Sequence, residues 1–223
     1  MFKAKYRWAA FWMKLSGLTR TGRIATWLAT LVVPPFRGRV LLSHLSPTGY
    51  VSIHAAIHHE DLRLGRNCFI GDRVQIESTA EGGYVELRDK VALYSDINIE
   101  TAYGGNVTIG EETHIQARCQ LVAGKSSIIV GKRVEIAPNC GIYPFNHGME
   151  AGKRIREQPL FSKGDIIIGD DSWLGFGVVL LDGACIGKGA LIGAGSVVNS
   201  NIPDNAIAYG VPARVISFRG DVG

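Results

Sequence analysis

The sequence predicts an all-β solenoid preceded by a short helical extension, and three regularities carry that prediction. First, Leu, Ile or Val recurs at six-residue intervals in six groups of three: Leu64-Ile70-Ile76, Leu87-Leu93-Ile99, Ile109-Ile115-Leu121, Val130-Ile136-Ile142, Ile168-Leu174-Leu180 and Ile186-Ile192-Val198. The first member of each group sets its frame; the other twelve test it, and all twelve are branched aliphatics. A period of six fits neither a helix nor an alternating strand, and marks a stack of short strands and turns. Second, the position four residues after each anchor, also expected to face a narrow interior, is mostly small or β-branched, with Tyr103, Lys125 and Asn146 as the misfits. Third, the position just after the anchor is often Gly (65, 71, 110, 131, 169, 175, 187 and 193), which permits a tight corner or a close backbone approach.

Taken in chain order, residues 1–45 form a basic, aromatic-rich extension. Residues 1–59 hold eight Lys or Arg and no acid, whereas the remainder holds sixteen bases and twenty acids. That asymmetry points to an anionic partner for the extension. Met1 to Leu18 reads as a helix with Lys3, Arg7 and Lys14 on one face and Trp8, Phe11, Trp12 and Leu15 on another. The apolar run Ile24 to Val33, ended by Pro34-Pro35, is half the length needed to cross a bilayer. No small-residue cleavage pattern follows, which argues against a cleaved leader. Two readings stand for residues 1–36: peripheral contact with a membrane interface, or packing on the solenoid end or a neighbouring subunit. Nucleic acid is not an expected partner, since no recognition motif accompanies the charge.

Residues 46–202 form the solenoid. Three six-residue units make one triangular coil, and six coils of parallel strands at ~4.8 Å spacing would stack into a prism of roughly 25–30 Å. Small insertions between groups are corner loops. The segment 148–167 is too long for a corner, and long loops in compact domains are usually functional or disordered. Residues 203–223 form a C-terminal tail. Cys68, Cys119 and Cys140 fall in the inward column and Cys185 one step beyond it, a pattern of buried filler rather than of disulfides or metal ligands.

His147 stands apart from the other histidines. It ends Ile142-Tyr-Pro-Phe-Asn-His-Gly148, directly before the long insertion. Histidine exchanges a proton near neutral pH, which suits a general base. His54, His58 and His114 could be gathered into a metal site, but no ligand spacing supports it, and no metal is expected.

His147-Gly148, Ile155-Arg-Glu-Gln158, Ile168-Gly-Asp-Asp-Ser-Trp-Leu-Gly175, Ile192-Gly-Ala-Gly-Ser-Val-Val198 and Ala208-Tyr-Gly-Val-Pro-Ala-Arg214-Val-Ile216 resemble the hexapeptide-repeat acyltransferases. The nearest branch joins maltose/galactoside O-acetyltransferases with O-acetyltransferases of capsule, O-antigen and exopolysaccharide. The resemblance implies a left-handed parallel β-helix, a homotrimer with active sites between subunits, and acetyl-CoA as co-substrate. It implies His147 as catalytic base. It also implies a coenzyme site formed by Trp173, Gly175, Phe176, Gly193, Ala194, Ser196 and Arg214, with Arg214 as a phosphate contact. Backbone N–H groups near Gly175 and Phe176 would stabilise the oxyanion, and Asn146 or Glu157 would orient the histidine.

Two departures from the pattern stand out. Asn199-Ser200-Asn201 replaces a Thr-Lys common in relatives, and Gly148 replaces a Pro frequent in the sugar-alcohol branch, which favours the polysaccharide branch. The expected reaction is acetyl transfer to a sugar hydroxyl of a glycan or its precursor. It is expected in the cytoplasm, at the inner face of the membrane if the extension binds lipid. The competing readings are N-acetylation of a nucleotide-linked amino sugar, a metal-dependent lyase, and a non-catalytic scaffold.

Overall fold

A computed structural model describes residues 2–34, 37–79 and 81–221. Met1, Pro35, Ala80 and the last two residues of the tail, named in the sequence reading, lie outside that set. The chain is a parallel β-solenoid of triangular section with three helices laid against its first coils. Its first face runs Tyr50–Val51, Phe69–Ile70, Ala92–Leu93, His114–Ile115, Glu135–Ile136, Trp173–Leu174 and Leu191–Ile192, and ends in the hairpin Ala206–Gly210 and Ala213–Phe218. The second face is a 7-stranded sheet of Ala56–His58, Gln75–Ser78, Asn98–Ala102, Gln120–Gly124, Gly141–Tyr143, Val179–Leu181 and Val197–Val198. The third is a 6-stranded sheet from Leu62–Leu64 through Val85–Leu87, Val107–Ile109, Ile128–Val130 and Ile166–Ile168 to Cys185–Ile186, and Ile202 bridges to Ile186 at its end.

There are seven coils rather than the six read from the rhythm. The additional one precedes the first counted group and contains Val51 and Ile57. The step from Ile57 to Leu64 is seven residues, and the polar run His58-His59-Glu60-Asp61 fills its corner, so the six-residue frame breaks there.

The anchors form the core. Apart from Leu64, which is half-buried, every anchor side chain is buried, each stabilising the stack by about 1.5–3 kcal/mol. The second inward column behaves as expected: Cys68, Val74, Val91, Ile97, Thr113, Cys119, Val134, Cys140, Ser172, Val178, Ala184, Ala190, Ser196 and Ile202 are buried, whereas Tyr103 and Lys125 face solvent and Asn146 is half-buried. Ala80, the remaining member, is among the undescribed residues.

The corner chemistry resolves into two devices. The residue after the anchor is Gly because coils touch there: a Cβ on Gly110 would stand 2.4 Å from the Gly131 carbonyl oxygen, and one on Gly131 2.7 Å from the Asp170 amide. The positive φ that turns the corner falls two residues later, and non-glycine residues accept it at Asn67, Arg73, Lys90, Asp96, Glu112, Arg118, Arg133, Asn139 and Asp171. Stacked corners then pair coil to coil through Arg73–Asp96 (2.6 Å), Lys90–Glu112 (2.5 Å) and Arg133–Asp171 (2.7 Å). These pairs are exposed, so each contributes at most about 1 kcal/mol.

The extension folds as α1 (Phe2–Met13), α2 (Arg20–Thr30) and α3 (Arg37–Ser43). The first helix stops five residues before Leu18. Gly17 takes a φ of 152°, and Thr19 caps the next helix by accepting from the Gly22 amide at 3.0 Å. Ala9, Met13, Ala29 and Leu42 pack with Tyr50, Phe69 and Ala92 of the first face as a second small core. The Arg23 guanidinium donates to the carbonyls of Ser52 (3.1 Å), Ile53 (2.9 Å) and Ala55, and Arg39 pairs with Asp72 at 2.6 Å. One side of the extension therefore covers the start of the solenoid.

Candidate active site

His147 is placed by a departure from the solenoid. After Tyr143 the chain leaves the corner between the second and third faces, and Asn146–His147 pairs antiparallel with Leu160–Phe161, His147 opposite Leu160. The Gly148 amide donates to the Pro159 carbonyl at 3.1 Å. Gln158, buried, ties the loop internally: its Oε1 accepts from the Glu150 amide (2.7 Å) and its Nε2 donates to the carbonyls of Glu150 (3.2 Å) and Lys153 (3.1 Å). A Cβ at residue 148 would meet the Gln158 Cβ at 2.7 Å, so Gly148 is what allows this closure.

The returning strand is held by Asp182, only 3% exposed, which accepts from the Lys163 amide at 3.1 Å and lies 3.7 Å from its ammonium. Ile166 and Ile167 already pair with Ile128 and Ile129 on the third face, so the excursion closes before the predicted end of the 148–167 segment. The imidazole of His147 stands at the surface of this braced hairpin. Of the two orienting candidates, Glu157 is taken by Arg154 at 3.3 Å, and Asn146 sits in the hairpin ladder opposite Phe161.

The other predicted residues gather along the corner between the first and second faces, over the last two coils and the closing hairpin. Trp173 projects outward from the first face, 47% exposed. Phe176, Ala194 and Gly195 are exposed along the edge, with Tyr209 and Val211 of the hairpin beside them. A Cβ on Gly193 would touch that of Tyr209 at 2.8 Å, and one on Gly177 or Gly195 would meet nothing within 4 Å. Arg214 is exposed and donates to the Ala213 carbonyl at 2.9 Å, opposite Tyr209 in the hairpin. The result is an edge of bare backbone rimmed by aromatic side chains with one guanidinium at its end, which suits an extended thiol-bearing chain terminating in phosphate.

Two members of the predicted set are committed elsewhere. The Gly175 amide donates to the Ile192 carbonyl at 2.8 Å, which leaves no N–H there for an oxyanion; the Phe176 amide has no backbone partner among the described residues. The Ser196 hydroxyl is buried, donating to the Gly193 carbonyl (2.6 Å) and accepting from the Gly210 amide (3.1 Å), so it braces the edge instead of facing it.

Within one chain the two groups do not meet. His147 leaves from the corner between the second and third faces, the bare edge follows the corner between the first and second, and the width of the second face separates them.

The remaining histidines have other surroundings. His114 Nδ1 lies 3.0 Å from Glu135, whose hydrogen bond raises the imidazole above its ordinary range, with burial opposing. His59 bonds Thr101 at 2.9 Å, and burial lowers it. Among the described residues no group of three His, Cys, Asp or Glu could hold a metal. Gln158, Asp182, Tyr209 and Val211 had no assigned role in the sequence reading. Gln158 belonged to the matched motif, and Asp182 was visible as an acid inside the apolar run Val178 to Leu181 and its turn.

Residues 165–200 match the model of the bacterial transferase hexapeptide (six repeats). The chain is 34% identical over 119 residues to the galactoside O-acetyltransferase of Escherichia coli (strain K12), covering 52% of this chain and 55% of that protein. It spans roughly half the length of the curated relatives it matches. Among solved structures, a hexapeptide-repeat-containing acetyltransferase from Vibrio cholerae O1 biovar eltor, complexed with acetyl coenzyme A, is 28% identical at a TM-score of 0.53, covering 60% of this chain and 70% of that one. The polySia specific acetyltransferase NeuO shares the fold at a TM-score of 0.61 and 23% identity, over 73% of this chain and 69% of its own. The six-residue rhythm, the coil architecture and these matches agree: the solenoid is similar to hexapeptide-repeat transferases, and residues 165–200 carry that repeat.

Proposed function

We propose that the protein transfers an acetyl group from acetyl-CoA to a sugar hydroxyl of a glycan or glycan precursor, in sites shared between subunits of a homotrimer. One observation carries this reading: a braced, exposed histidine and a bare, aromatic-rimmed edge lie at different corners of the same end of the prism. Rotating three copies about a common axis sets one chain's histidine corner against its neighbour's bare edge, so each of the three sites takes its histidine from one copy and its edge from the next. The relatives named as sugar acetyltransferases, and the neighbour crystallised with acetyl-CoA, support the choice of donor and acceptor.

In this reading His147 accepts the proton of the acceptor hydroxyl as its oxygen attacks the thioester carbon. The carbon–sulfur bond then breaks, and the imidazolium returns that proton to the departing sulfur. Positioned proton transfer of this kind contributes ~10²–10⁴-fold. The Phe176 amide, from the neighbouring chain, donates to the carbonyl oxygen as negative charge develops, worth about 3 kcal/mol for one such donor in studied enzymes. Trp173, Ala194 and Gly195 line the donor, Gly193 with Tyr209 shapes its path, and Arg214 meets phosphate.

The test is thiol release from acetyl-CoA by the purified protein with a panel of sugar and amino-sugar acceptors. Release that depends on a hydroxyl acceptor and drops at least about 100-fold in His147→Ala supports the reading. Release only with amine acceptors replaces it with N-acetylation. No release with any acceptor removes the enzymatic reading.

A further inference from the structure

The helical extension has a second apolar side that the solenoid does not cover. In α1, Ala9, Trp12 and Met13 turn towards the first face, and beyond its end the buried Ser16 hydroxyl donates to the Gly49 carbonyl. Ala4, Trp8 and Phe11 fall at i, i+4 and i+7 on a second side, with Leu15 in the turn just after the helix, and Trp8, Phe11 and Leu15 are 42%, 58% and 55% exposed. In α2, Ile24 and Trp27, with Leu31 just after it, repeat the arrangement at 47%, 45% and 59% exposed, while Ala25, Thr26 and Ala29 turn inward. The Trp8 indole N–H donates to the Leu28 carbonyl at 2.8 Å, which stitches the two helices where these stripes lie. Soluble surfaces carry isolated exposed apolar residues, but not two tryptophans, a phenylalanine and three branched aliphatics on adjoining helices.

Charge selects the occupant. Lys3 and Arg7 lie beside Phe11 on α1, within about a quarter-turn of it, Lys14 follows directly after the helix, and residues 1–59 contain no acid to neutralise them. Among the described side chains of the extension, the cations with protein partners, Arg23 and Arg39, are the ones turned towards the solenoid. A helix with Trp, Phe and Leu on one stripe and cations beside it lies flat in a lipid interface, with rings among the acyl boundary and ammonium groups among the headgroups. Among the described residues no helix is long and apolar enough to cross a membrane. A face of this kind therefore docks on a bilayer without spanning it.

We infer that α1 and the outer stripe of α2 form a peripheral docking surface for a bilayer rich in anionic headgroups, with the solenoid as the rigid body they hold there. The inference is independent of the acetyl-transfer reading, because its test involves no catalysis.

The test uses the full chain and sedimentation with vesicles. Wild type is expected to bind phosphatidylglycerol–phosphatidylcholine vesicles and to be released by salt, and to bind pure phosphatidylcholine far more weakly. Lys3→Gln/Arg7→Gln/Lys14→Gln should lose on the order of 100-fold in affinity, at roughly fivefold per cation. Phe11→Ser/Trp27→Ser should lose about tenfold or more at unchanged salt dependence. All these side chains are exposed or outward-facing, and an unchanged circular-dichroism melt shows that the variants fold. The inference is overturned if wild type ignores anionic vesicles, or if the variants bind them as wild type does. It is also overturned if Phe11→Ser/Trp27→Ser dissociates the oligomer, because the patch is then a seam between copies of this chain.

Discussion

Gly110→Ala is the sharpest perturbation of the coil stack. Gly110 has an ordinary backbone conformation, so the added methyl carries no intrinsic φ penalty, and what it meets is backbone of the next coil. Its Cβ would stand 2.4 Å from the Gly131 carbonyl oxygen, 2.5 Å from that carbonyl carbon and 2.8 Å from the Lys132 amide. Relief requires the two coils to part by about 1 Å against a strand spacing of ~4.8 Å. That movement strains the Gly110 amide bond to Val130 (2.9 Å) and the Thr113 hydroxyl bond to the Gly131 carbonyl (2.8 Å). Overpacking costs about 1–3 kcal/mol and a compromised buried hydrogen bond a similar amount, so the expected loss is about 3–5 kcal/mol.

Gly195→Ala is the matched control. Its φ is +70° and its Cβ would meet nothing within 4 Å, so it incurs only the left-handed backbone cost of about 1–2 kcal/mol. Urea unfolding followed by circular dichroism at fixed protein concentration measures both. A Gly110→Ala loss within 1 kcal/mol of wild type, or smaller than that of Gly195→Ala, would refute the contact argument.

The bracing of His147 gives two further expectations. Asp182→Ala removes the buried carboxylate that receives the Lys163 amide; it should lower kcat about tenfold or more while the cooperative melt of the solenoid is retained, and equal losses of melt and activity would argue against a positioning role. Gln158→Ala deletes three loop hydrogen bonds and should speed amide exchange of residues 148–160 while leaving the core strands protected. For His114, the Glu135 bond holds the imidazole above its ordinary range. Its contribution is therefore full below the unfolded-state value near 6.5 and is lost as pH rises through the folded value. Glu135→Gln should bring the proton-NMR titration midpoint of His114 down and flatten that pH dependence; an unchanged midpoint would show that Glu135 is not the cause.

The repeat was legible because every anchor obeys one physical demand, to fill a narrow prism interior, and that demand recurs each six residues whatever happens at the surface. The same demand explains the exceptions, since Tyr103, Lys125 and Asn146 all sit where a corner is extended and the fourth residue no longer points inward. The first coil escaped because a single extra residue between Ile57 and Leu64 breaks the frame.

The site was legible only in pieces. His147 stands out by its position before the insertion and Phe176 only through the family resemblance, but the Leu160 pairing, the Gln158 ties and the Asp182 anchor are contacts made across an insertion, where no period constrains the sequence. Nor does a motif reveal that an amide is already used: Gly175 lies in the expected pattern, yet its N–H belongs to the coil above. For the extension, the helical spacing identified apolar residues without saying which stripe the solenoid would claim. Trp12 turned inward and Trp8, Phe11 and Leu15 did not.

The central claim is that the histidine of one chain works on the donor edge of another, and mixed oligomers test it most directly. His147→Ala removes the base, and Ala194→Trp obstructs the exposed edge; each variant alone should be inactive. Unfolded together and refolded in equal amounts, they should regain about a quarter of wild-type thiol release, because random assembly unites an intact histidine with an intact edge in that share of sites. No recovery in a mixture that assembles normally would place both groups in a single chain's site, and contradict the account.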